Sequence, residues 1–275
     1  MQTVKLVSGA TMPVLGQGTW RMGENGRQRK EEVDALRFGV ELGMTLIDTA
    51  EMYGEGGAEE IVGEAIAPNR DQIFLVSKVY PHNATRRGTI AACERSLKRL
   101  KTDYLDLYLL HWRGSTPLAE TIEAFQELRQ AGKIRDFGVS NFDRDDMEEA
   151  HSLDQGLTTT NQVLYNLSRR GIEWDLLPWC REQNVAVMAY SPLEQGRMLN
   201  NSSLKTIAER HHASAAQVAI AWLLQQGVIV IPKSSNRDRI RENYAALDLK
   251  LTDPDLTELN QAFPPPQKAK PLEVL

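Results

Sequence analysis

MTLIDTA (44–50), IFLVSK (73–78) and LDLYLLH (105–111) are apolar runs of strand length. Each arrives at a side chain able to do chemistry: Asp48, Lys78 and His111. Four further segments follow the same plan. IRDFGVSN (134–141) ends at Asn141, TTTNQ (158–162) at Gln162, VAVMAY (185–190) at Tyr190 and VIVIPK (228–233) at Lys233. Stretches with helical spacing separate most of them. Parallel strands alternating with helices close most naturally into a (β/α)8 barrel, an α/β fold whose strand carboxyl ends converge on one face. Polar endings on that face predict a built site rather than a set of turns.

The segments between these strands support the reading. In VDALRFGVELG (33–43), Val33, Leu36 and Val40 form one buried stripe, and Gly43 is placed to end the helix. AEEIVGEAI (58–66) and RRGTIAACERSLKRLK (86–101) continue the alternation, the latter with Ile90, Leu97 and Leu100 at helical spacing. TPLAETIEAFQELRQAGK (116–133) has Pro117 in its first turn and Gly132 at its end. Acids near the start of DRDDMEEAHSL (143–153) suit a helix dipole. EWDLLPWCREQN, SLKTIAERHH, SAAQVAIAWLLQQG and RDRIRENYAAL complete the set.

The ends of the chain are different. Residues 3–6 and 11–14 are short apolar runs joined by Ser8-Gly9-Ala10, which predicts a β-hairpin closing the bottom of the barrel. TDPDLTELNQAF (252–263) reads as a last helix capped by Thr252, and PPPQKAKPLEVL (264–275) as an extended tail. No linker or second composition interrupts the chain, so 1–275 is expected to be a single domain.

Composition narrows the function. A net charge of −5 and a pI near 5.7, with no Lys/Arg run, argue against a nucleic-acid partner. No window of 18 apolar residues and no signal pattern are present, so no membrane partner is expected and the cytoplasm is the expected location. Cys93 and Cys180 are too few for a disulfide framework and are read as buried structural residues. One strand-end histidine without a second at ligand spacing makes a poor metal site, so no metal is expected.

Asp48, Tyr53, Lys78 and His111 are best considered together. Three stand at the ends of successive strands. Tyr53 lies five residues past Asp48, in the glycine-rich loop AEMYGEGG. Singly, each has a bland reading: a turn acid, a snorkelling lysine, a satisfied histidine. On neighbouring strand ends they form proton-transfer machinery. Lys78, held by Asp48, would lower the pKa of Tyr53, and Tyr53 would protonate an oxygen that His111 orients.

No side-chain nucleophile motif accompanies them, so a hydride from a reduced cofactor would supply the attack. IPKSSNRDRIREN (231–243) offers Lys233, Ser234 and Arg239 at a helix start, a phosphate site whose extra basic residue favours NADPH over NADH. Tyr190 is placed to stack on a nicotinamide, with Ser140, Asn141 and Gln162 on its carboxamide. Trp20, Met22, Met52 and Trp112 would line an apolar mouth.

The chain resembles the aldo-keto reductases over nearly its whole length. The resemblance rests on GQGTW (16–20), LIDTAEMYGEG (46–56), LVSKVY (75–80), LDLYLLHW (105–112), GKIRDFGVSNF (132–142), NQVLYN (161–166), AYSPLEQG (189–196) and IPKSSNRDRIREN (231–243). It implies that Asp48, Tyr53, Lys78 and His111 are the catalytic tetrad, with Tyr53 the general acid. It also implies NADP(H) contacts at Gly18, Thr19, Trp20, Asp48, Ser140, Asn141, Gln162, Tyr190, Ser191, Leu193, Lys233, Ser234, Arg239, Glu242 and Asn243. The short segment after Tyr190 and the short tail imply an open pocket for small aldehydes, as in bacterial members that reduce methylglyoxal, and a monomer. Two rival readings are an NADPH-binding redox sensor with little turnover and a Schiff-base aldolase acting through Lys78.

Overall fold

The computed structural model describes residues 2–275. The N-terminal hairpin forms as expected, from β1 (Thr3–Lys5) and β2 (Thr11–Pro13), with Val4 opposite Met12. The chain then enters a sheet of eight strands, all paired in parallel and in chain order. These are β3 (Gly16–Gly18), β4 (Leu46–Asp48), β5 (Phe74–Val79), β6 (Leu105–Leu110), β7 (Ile134–Ser140), β8 (Thr160–Leu164), β9 (Ala186–Tyr190) and β10 (Ile229–Val230). A parallel bridge between Leu15 and Val230, and a hydrogen bond from Gly18 N to Pro232 O (3.1 Å), join the two outermost strands. The result is a (β/α)8 barrel.

Seven of these strands are those predicted from the polar endings. The eighth, β3, was not. Gly16-Gln17-Gly18 has no β-branched residue and no apolar alternation, so it carries no strand signal. Its side chains are dictated by crowding. A Cβ at Gly16 would lie 2.5 Å from Leu46 Cγ, and one at Gly18 would lie 2.9 Å from Ile231 O. Gln17 points the other way and donates from Nε2 to Leu36 O and Met44 O.

The helices between strands are α1 (Arg29–Leu42), α2 (Gly57–Ile66), α3 (Arg86–Leu100), α4 (Leu118–Gln130), α5 (Arg144–Asp154), α6 (Leu176–Glu182), α7 (Ser202–Arg210) and α8 (Ala215–Gln225), and α9 (Arg237–Ala245) and α10 (Asp253–Ala262) follow the last strand. Local chemistry sets their limits. Gly43 (φ 106°) ends α1, Thr85 and Asp143 cap α3 and α5, and Thr252 and Asp255 form a reciprocal cap on α10. Pro117 stands one residue ahead of α4, at its N-cap.

Two apolar layers result. Between helices and sheet lies the larger core, which includes Val33, Leu36, Ile61, Val62, Phe125, Phe137 and Trp222. Inside the barrel, Leu46, Val76, Leu107, Leu109, Met188, Ile229 and Ile231 pack with Leu6 and Met12 of the hairpin. Leu46 opens its strand, so the hairpin plugs the amino-terminal end, as predicted. Side chains two apart on a strand share a face. The interior apolar residues are therefore followed, one pleat later, by Asp48, Lys78, His111, Tyr190 and Lys233. Cys93 and Cys180 are buried, and burial pushes both thiols up to about 12. Among the described residues no helix is long and apolar enough to cross a membrane.

Candidate active site

Lys78 is the centre of the upper face. Its side chain is fully buried, and Nζ donates to Asp48 Oδ2 (2.8 Å), Thr49 O (2.9 Å) and Tyr53 Oη (3.3 Å). Asp48 is buried as well. Its second oxygen accepts from Gln162 Nε2 (2.7 Å), and its carbonyl accepts from Thr19 Oγ1 (2.9 Å). An isolated buried ammonium would lose its proton. Burial does lower the pKa of Lys78, and the Asp48 charge opposes that shift.

Tyr53 reaches this pair because the loop after β4 turns back on itself. Gly54, Glu55 and Gly56 all have positive φ (57°, 53° and 92°), and a Cβ at Gly54 would lie 2.9 Å from Met22 O. His111 follows β6 directly. Its ring meets that of Tyr53 edge to face, with centroids 5.7 Å apart. Burial, and then the Lys78 charge, push the His111 pKa down to about 2, so the imidazole is neutral at ordinary pH. Its Nδ1 is buried without a hydrogen-bond partner.

One electrostatic expectation is reversed. Tyr53 does not have a lowered pKa. Burial of the phenol, and then the nearby Asp48 charge, raise it well above 10. Tyr53 therefore keeps its proton at any ordinary pH.

The other predicted residues fall into three groups. Around the rim of β7 to β9, Ser140 Oγ donates to Gln162 O (2.8 Å). Asn141 Nδ2 donates to His111 O (3.1 Å), and Tyr190 Oη donates to Asn141 Oδ1 (2.9 Å). Ser191 and Leu193 follow in the next loop. Thr19 is fully buried beside Gly18, its hydroxyl committed to Asp48.

At the far edge, Asn236 caps α9, while Lys233 and Arg239 stand exposed beside that helix N-terminus. Lys233 Nζ donates to Ser235 Oγ (3.2 Å), and among the described residues neither cation has a carboxylate partner. Ser234 lies between them, with Glu242 and the buried Asn243 further along α9. Unneutralised cations at a helix start fit a phosphate group.

Of the residues expected at the mouth, Trp20 (39% exposed) and Trp112 (36% exposed) are open to solvent and Met52 is half-buried. Met22 is not part of it. It is fully buried and packs into the core between sheet and helices. A methionine two residues past Trp20 reads the same in sequence whichever way it turns.

Several residues were missed. Tyr80 lies edge to face with Trp112 (centroids 5.8 Å) and stacks at a tilt on His82 (4.6 Å). It is two residues past Lys78, and the strand period could have placed it on the same face. Glu51 accepts from Tyr80 N (2.8 Å) and Asn83 Nδ2 (2.9 Å), anchoring this aromatic wall. Arg21 shares with Lys233 and Ser235 a cavity of about 250 Å³. Nothing local in the sequence distinguishes it from a surface arginine.

Comparison with known proteins agrees with this geometry. The family model described as Aldo/keto reductase family matches residues 14–263, from just before β3 to just past α10. Methylglyoxal reductase YeaE of Escherichia coli (strain K12) is 53% identical over 272 residues, covering 96% of both chains. Glyoxal reductase of Bacillus subtilis (strain 168) is 40% identical, covering 94% of this chain and 91% of its own. The crystal structure of an aldo/keto reductase from Klebsiella pneumoniae, in complex with NADP and acetate, superposes with a TM-score of 0.97 at 48% identity, covering 99% of each chain. The match spans the barrel from β3 to α10, and the chain belongs to the aldo/keto reductase family.

Proposed function

We propose that the protein reduces small aldehydes, including 2-oxoaldehydes such as methylglyoxal and aromatic aldehydes, and some ketones, to alcohols with NADPH. The observation that carries this reading is Lys78 Nζ bonded at once to Asp48 and to the phenol oxygen of Tyr53. The methylglyoxal and glyoxal reductases among the relatives support the substrate class, and the Klebsiella pneumoniae complex supports the cofactor.

Bound NADPH would supply the hydride. The chain's own residues do the rest. Tyr53, protonated because its pKa is raised, is the general acid and hands its proton to the carbonyl oxygen. Lys78 then faces the resulting phenolate and stabilises its charge, and Asp48 keeps the ammonium in place. Neutral His111 offers a ring nitrogen to orient the carbonyl without competing for the proton. Gln162, Asn141, Ser140 and Tyr190 would hold the nicotinamide end, and Lys233, Ser234 and Arg239 the phosphate end. The hairpin and the tail both pack on the barrel, and residues 1–275 act as one unit.

The aldolase reading is disfavoured by the same geometry. Lys78 is fully buried and held by three acceptors, so it has no free path to a carbonyl carbon.

Replacing Tyr53 with Phe tests the role of the phenol. Turnover should fall about 10²–10⁴-fold, with NADPH affinity, measured by fluorescence titration, unchanged. Turnover within tenfold of the parent, with the cofactor bound, would remove Tyr53 from the mechanism.

A further inference from the structure

The loop after β9 is held in an unfavourable shape by contacts from elsewhere. Ser191, Glu194 and Gln195 are non-glycine residues with φ of 48°, 48° and 54°. Such a backbone persists only where its surroundings over-determine it. Those surroundings are specific. The buried Glu194 carboxylate accepts from Asn166 Nδ2 (2.8 Å), from Arg169 Nε and Nη2 (3.2 and 3.1 Å) and from Arg197 Nη2 (2.8 Å). Asn166 also donates to Ser191 O (2.9 Å).

Arg169 has a second partner. Its Nη1 donates to Glu273 Oε1 (2.6 Å) in the C-terminal tail. From there Leu272 packs on the core, and Leu275 N donates to Tyr190 Oη (3.3 Å). Tyr190 is the residue from which the strained loop departs. The contacts thus form a closed circuit: Tyr190, the 191–197 loop, Glu194, Arg169, Glu273, the tail, and Tyr190 again. A small cavity of about 130 Å³ lies beside the tail, lined by Leu164, Ile172, Lys270 and Leu272 among others.

We infer that Arg169 is a positioning residue that fastens the tail to the 191–197 loop, so that the two open together to admit and release the cofactor. This rests on the proposal that Tyr190, Ser191 and Leu193 face NADPH. Neither acidic partner of Arg169 need touch the cofactor. Arg169 sets the population of a closed state, and the reacting atoms are untouched.

Glu273→Gln is the informative variant, because Glu273 belongs to the tail and makes no hydrogen bond to the loop. Two readouts decide. Hydrogen exchange on the cofactor-free protein should quicken in residues 191–197 as well as in 270–275. The NADPH dissociation rate, followed by stopped-flow fluorescence, should rise about two- to fivefold, the scale of a partly exposed ion pair. Arg169→Met should exceed tenfold, because it also strips donors from the buried Glu194. Arg169→Lys, which keeps one contact at a time, should fall between them. Faster exchange confined to the tail in Glu273→Gln, or a dissociation rate changed by less than twofold, would overturn the coupling. If the parent protein does not bind NADPH, the proposed function fails, and the exchange experiment still decides the coupling.

Discussion

Glycine to alanine inside a helix ordinarily stabilises a protein by about 1 kcal/mol. At Gly39, in the middle of α1, the sign should reverse. A Cβ built there would lie 2.0 Å from Gln17 Oε1, 2.3 Å from its Cδ and 2.6 Å from its Nε2. Gln17 is buried and cannot retreat to water. Its amide donates to Leu36 O (3.2 Å) and Met44 O (3.0 Å), so displacing it strands buried polar groups. That loss costs about 1–3 kcal/mol, and overpacking adds about 1–3 kcal/mol. After the helix propensity of about 1 kcal/mol is offset, Gly39→Ala should destabilise by about 1–5 kcal/mol, read from urea unfolding midpoints at constant m. The double variant Gln17→Ala/Gly39→Ala removes the obstruction and should be no less stable than Gln17→Ala alone, a strongly non-additive result. If Gly39→Ala proves as stable as the parent, β3 does not sit on α1 in this register.

Acid should weaken the fold through His111. Its native pKa is about 2 against about 6.5 unfolded, so below pH 6.5 the unfolded chain takes up a proton that the native state refuses. Stability from this residue is intact at neutral pH and falls by about 1.4 kcal/mol per unit as pH drops below 6.5. His111→Gln should flatten the slope of urea midpoints between about pH 7 and pH 5, and equal slopes would contradict the assignment. At the other end of the site, Lys233→Met and Arg239→Met should each weaken NADPH binding about tenfold or more and leave NADH nearly unchanged. Equal losses for the two cofactors would mean that these cations do not read the 2′-phosphate.

What the sequence revealed, and what it concealed, divides along physical lines. Strands β4 to β10 were legible because an interior apolar stripe runs into a polar residue at its end, and the strand period fixes both on one face. Asp48, Lys78 and His111 came with them. Tyr53 was legible from loop chemistry, since AEMYGEGG needs its glycines to turn back. β3 was hidden because two of its three residues are glycines chosen for lack of bulk, which only the neighbouring strands explain. Met22 and Met52 are indistinguishable by type, and burial separates them. The direction of the Tyr53 shift was misread for a related reason. Spacing brings a cation near, but the dehydration of the phenol and the companion charge of Asp48 exist only in three dimensions. The Arg169 circuit joins residues 104 apart in the chain, from Arg169 to Glu273, and no local pattern announces such a contact.

The hairpin plug at the foot of the barrel has a consequence for traffic. With Met12 packed against Leu46, Val76 and Leu107, the barrel is closed at its foot and filled within. The packed interior leaves no passage from the foot to the upper face, so cofactor and carbonyl compound must both arrive at the strand carboxyl ends from the same side.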